Sequence, residues 1–76
     1  VKNMQYNLIK YRKFNLLTQK DMANLIGVDL RTYANKEHGD SQFKLNEMFI
    51  IAKKLNMDIS EIFLPTNFMN HEVLEA

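Results

Sequence analysis

The sequence has no cysteine, no tryptophan, one proline and two glycines in 76 residues. Without cysteine there is no disulfide framework and no thiolate metal site, which fits a reducing, cytoplasmic setting. No apolar run approaches the roughly 20 residues of a membrane span, and no signal-peptide pattern is legible. Gly27 and Gly39 stand twelve positions apart, so there is no glycine-rich phosphate loop. Enzyme chemistry is equally poorly provided for. His38 and His71 are far apart, and Ser41 and Ser60 have no motif-like His or Asp beside them. Asp58 and Glu61 read better as helix caps than as a catalytic pair. No catalytic residue, metal site, cofactor or small-molecule ligand is therefore expected, and no membrane partner.

What is present is one small domain, with 46% hydrophobic and 25% charged residues, an ordinary balance for a globular chain. The formal net charge is only +1, but it is unevenly spread. Residues 1–38 carry seven Lys and Arg against three Asp and Glu, whereas residues 39–76 carry three against six. One basic face able to meet phosphates and one acidic end follow from that asymmetry.

Apolar residues recur at three and four, and strand signals are poor, so the fold class is all-α with five helices. Tyr6 to Phe14 reads as the first, broken by Asn15-Leu16-Leu17. Thr18 then caps a second helix, with Asp21 completing a capping box, Met22, Ala23 and Ile26 inward, and Gly27 ending it. Asp29 caps a third, with Tyr33 pointing inward and Gly39 past its end. A fourth, Leu45 to Leu55, has Leu45, Met48, Ile51, Ala52 and Leu55 as its buried stripe. Asp58 and Glu61 box a short fifth before Pro65. Residues 1–65 thus form the domain, and 66–76 a tail of helix or strand.

Thr18 to Gly39 is the informative stretch. Gln19, Ala23 and Gly27 are spaced by four. Ala23 allows a close helix crossing and Gly27 a tight turn, which together set the next helix at a steep angle. With Val28 and Tyr33 beneath, Leu30, Arg31, Ala34 and Asn35 face outward. An exposed helix held this way fits the major groove. The series Thr18-Gln19, Ala23, Gly27-Val28, Tyr33 and Glu37-His38-Gly39, continued by residues 51–55 and 57–63, resembles the Cro/cI-type, lambda-repressor-like helix-turn-helix family over about residues 6–64.

That resemblance implies double-stranded DNA as partner and a small transcriptional regulator, a repressor of phage or plasmid type, acting as a homodimer on a palindromic operator. It also implies an ion pair between Arg12 and Glu37. Arg31 and Asn35 would read guanine and adenine edges, and Leu30 and Ala34 would meet thymine methyls. Thr18, Gln19, Ser41, Gln42 and Lys44 would hold phosphates. The plain alternative for all of these is a solvated helix face. Lys36 departs from the family by replacing an apolar residue; its stem would pack with the amine reaching outward, towards a phosphate. Lys44 stands where a Ser or Thr cap is common. Ile62, Phe63, Leu64, Phe68 and Met69 are the apolar surface expected to make the dimer, the alternative being a tail that covers its own core. The rival function is a protein-interaction module built on the same fold.

Overall fold

The computed structural model describes residues 4–63, which fold as five α-helices: α1 Tyr6–Phe14, α2 Gln19–Ile26, α3 Leu30–His38, α4 Leu45–Leu55 and α5 Ile59–Ile62. Helix α2 packs on α3 and α4, while α5 bridges α1 and α4. Leu8, Met22, Tyr33, Ile51 and Ile62 are the largest fully buried side chains and form the centre. Among the described residues no helix is long and apolar enough to cross a membrane, and no group of His, Asp or Glu could hold a metal ion.

Local chemistry sets the boundaries. The Thr18 hydroxyl accepts from the Asp21 amide at 3.0 Å, and the Asp21 carboxylate accepts from the Thr18 amide at 2.8 Å. These bonds hold the Asp21 carboxyl below the usual carboxylate range. Asp29 takes the N-cap position of α3 without a side-chain bond to the helix amides. Its main partner is the Thr32 hydroxyl, which lowers the Asp29 carboxyl from its ordinary value. At α5 Asp58 and Glu61 form the expected capping box, whereas at α4 only the Glu47 half can be built. Glu47 accepts from the Lys44 amide and Glu61 from the Asp58 amide, each at 2.9 Å, and a lysine side chain has no acceptor to return.

Two helix ends show opposite uses of left-handed backbone. Gly27 follows α2 with φ +78, and nothing lies within 4 Å of the position a β-carbon would take. Leu16 follows α1 with φ +60, although it is a leucine with 89% of its surface exposed. Gly27→Ala is therefore expected to cost about 1 kcal/mol through backbone conformation alone. Leu16→Gly is expected to add about 0.5 kcal/mol, because relief of strain exceeds the extra freedom given to the unfolded chain. Urea melts of the two variants read both signs.

Three expectations need correction. Leu45 is 62% exposed; it opens α4, and no helix among the described residues covers it. Its place in the core is taken by Phe43 from the preceding loop, which meets Tyr33 and Phe63 edge-on at centroid distances of 5.8 and 5.1 Å. Lys36 does not reach outward. It is buried, and its Nζ donates to Glu47 Oε1 at 2.9 Å and to the Gln42 carbonyl at 3.2 Å. Ile62 and Phe63, expected at a dimer surface, fill the protomer's own core because α5 turns them between α1 and α4. Leu64, Phe68 and Met69, and the rest of the expected tail, lie outside the described residues.

Candidate nucleic-acid interface

Helix α3 is anchored along one side and open along the other. Tyr33, Lys36 and Glu37 are buried, whereas Leu30, Arg31 and Asn35 are exposed and Ala34 is half-buried. This division follows from the helical period, since 33, 36 and 37 share one face and 31 and 35 another. Gly27 and Val28 set the turn before α3, with the Val28 amide bonded to the Ala23 carbonyl at 3.0 Å. After α3, Gly39 adopts φ +94 and the Asp40 amide closes on the Asn35 carbonyl at 2.9 Å.

The anchor is a carboxylate shared by three helices. Arg12 on α1 meets Glu37 through both forks, Nε to Oε2 at 2.8 Å and Nη2 to Oε1 at 3.2 Å. Gln19 at the start of α2 donates to Oε1 at 2.8 Å, and the Tyr33 hydroxyl donates to Oε2 at 2.8 Å. Arg12 Nη1 also donates to the Leu17 carbonyl at 2.9 Å, which ties in the α1–α2 turn. The Gln5 amide reaches the Glu37 carbonyl at 2.9 Å. Burial, reinforced by the charge and bond of Glu37, pushes the Tyr33 phenol far above its ordinary range, so Tyr33 remains a donor. A buried pair of this kind fixes orientation more than it adds net stability. Here it fixes the angle at which α3 presents its outer face.

The residues singled out from sequence are distributed as follows. Arg31 and Asn35 lie one turn apart on the open face of α3, with Leu30 beside them and Ala34 set back. Thr18 is exposed at the N-terminus of α2. Gln19 is half-buried with its amide already donating to Glu37, so at least one of its donors is spent internally. Ser41, Gln42 and Lys44 are exposed in the loop between α3 and α4. Two positions escaped the sequence reading. Lys13 and His38 line an open cleft of about 460 Å³ together with Gln19, Ala34 and Asn35. Only the three-dimensional approach of α1 to the end of α3 reveals them, since 25 residues separate the two in sequence.

The family model described as helix-turn-helix matches residues 8–62. No curated protein matches the chain. Among solved structures, the restriction-modification controller protein C.AhdI from Aeromonas hydrophila is similar at 25% identity and a TM-score of 0.68, over 78% of this chain and 89% of that one. A transcriptional regulator from Listeria innocua shares the fold at 19% identity and a TM-score of 0.73, over 97% of this chain and 75% of that one. With the five-helix order, the turn at Gly27 and the outward face of α3 in place, the chain belongs to the lambda-repressor-like helix-turn-helix family of DNA-binding regulators.

Proposed function

We propose that the protein reads a specific sequence in double-stranded DNA with α3 and represses transcription as a homodimer on a palindromic operator. The observation that carries this reading is the pairing of an exposed Arg31 and Asn35 on a helix whose other side is locked by Glu37. Arg31 suits guanine O6 and N7, Asn35 suits adenine N6 and N7, and the Leu30 side chain suits a thymine methyl. Thr18 and the loop residues Ser41, Gln42 and Lys44 supply phosphate contacts that set register without reading sequence. One domain spans a half-site, so a symmetric pair would place half-sites about 34 Å apart. Phage or plasmid ancestry accords with the resemblance, and a cytoplasmic location with work on DNA.

Arg31→Ala and Asn35→Ala are each expected to weaken binding to the preferred duplex by about 1–3 kcal/mol and to relax discrimination at one base position. Thermal unfolding of both variants should match the parent, because each side chain is exposed. Equal affinity of parent and variants for every duplex, at fixed salt, would refute base reading by α3. The protein-interaction alternative predicts that outcome, with an affinity for its partner that barely depends on salt.

A further inference from the structure

We infer that Lys36 is a positioning residue for DNA binding, one that fixes the α3–α4 loop against the reading helix before DNA arrives. The inference rests on the DNA reading proposed above and adds to it a residue that acts without touching the DNA. The Lys36 and Glu47 side chains are only 8% and 6% exposed and meet at 2.9 Å, so the ammonium is neutralised inside the protein. Its second bond, 3.2 Å to the Gln42 carbonyl, reaches into the loop. Glu47 Oε1 accepts both from Lys36 and from the Lys44 amide, each at 2.9 Å.

Residues 40–44 are each held by these and neighbouring contacts. The Asp40 and Ser41 amides donate to the Asn35 carbonyl at 2.9 and 3.4 Å. Gln42 is held by Lys36, Phe43 by the rings of Tyr33 and Phe63, and Lys44 by Glu47. Ser41, Gln42 and Lys44 stay exposed. The carbonyl that receives the loop belongs to Asn35, a residue of the reading face, so loop and reading helix share one frame. An apolar residue at position 36 could fill the space of the lysine stem, but it has no donor for the Gln42 carbonyl. Without that bond the Gln42 peptide is free to turn, and the loop must be ordered as DNA binds. Ordering groups at an interface costs affinity without changing which contacts finally form.

The test compares the parent with the double variant Lys36→Met, Glu47→Gln, which leaves no buried charge in this pair and keeps an acceptor for the Lys44 amide. In the free double variant, backbone order parameters of residues 41–43 should fall from about 0.85 to below about 0.6, with those of α2 and α3 unchanged. Its affinity should drop about 10-fold for preferred and random duplexes alike. Its salt slope should stay at the parent value, because Lys36 neutralises no phosphate. In the parent itself, which needs no variant to fold, the Lys36 Nζ resonance should keep its shift when DNA is added. Parent-like affinity in the folded double variant, a salt slope lowered by about 1, or a DNA-induced change at Lys36 Nζ would each overturn the positioning role. Absence of any DNA binding by the parent at low salt would instead overturn the DNA reading beneath it.

Discussion

Glu37→Ala is expected to leave the protein largely unfolded at 25 °C. The carboxylate accepts from Arg12 twice, from Gln19 and from Tyr33, and removing it strands all three partners. Arg12 would keep a guanidinium whose side chain is 8% exposed with no counter-charge. The Tyr33 hydroxyl would lose its acceptor inside a fully buried residue. Breaking a buried ion pair by deleting one partner costs about 3–5 kcal/mol. A domain of this size holds about that much net stability in total, so the deficit is comparable with the whole. Tyr33→Phe separates the hydrogen bond from the charge: it removes one donor, keeps the ring and should cost only about 1 kcal/mol. Circular dichroism during urea titration reads both. A Glu37→Ala protein as stable as the parent would mean that the network contributes orientation and nothing to folding.

The second large effect concerns Lys36 and Glu47. Lys36→Met alone is expected to destabilise by about 3 kcal/mol, because it leaves a buried carboxylate without its ammonium partner. Adding Glu47→Gln should return stability to within about 1 kcal/mol of the parent or above it, since a methionine packs where the lysine stem lay and no charge remains to be solvated. The glutamine can still accept the Lys44 amide that Glu47 accepts at 2.9 Å. This double variant also removes a pH dependence. Burial works against the ionised Glu47, but the Lys44 amide bond and the bond and charge of Lys36 outweigh it, so the carboxyl sits below its ordinary value. The lowered folded value means that the pair's contribution is complete above the range of a free glutamate. It fades as pH falls through the depressed value in the fold. The double variant should lack that part of the acid destabilisation.

The helices were legible because caps and apolar periods agree at the same places. Thr18 with Asp21, Gly27 and Gly39 mark ends that the backbone confirms. Leu45 was not legible as exposed, because period alone assigns a face without knowing where the facing helix stops. Phe43 lies outside any period, and only the approach of Tyr33 and Phe63 makes it a core residue. Lys36 carries no local sign of its partner, for Glu47 is eleven residues away across a loop. The Arg12 to Glu37 pair was read from family resemblance alone; the additional donors from Gln19 and Tyr33 required the tertiary geometry. The same limitation concealed the Lys13 and His38 cleft.

The central claim is that α3 reads base sequence, and selection of tight-binding duplexes from a random DNA pool tests it most directly. The purified parent should enrich a palindromic site with half-sites one helical turn apart, and Arg31→Ala should bind that site more weakly or with one position relaxed. No enrichment over background from the folded parent at low salt would contradict it.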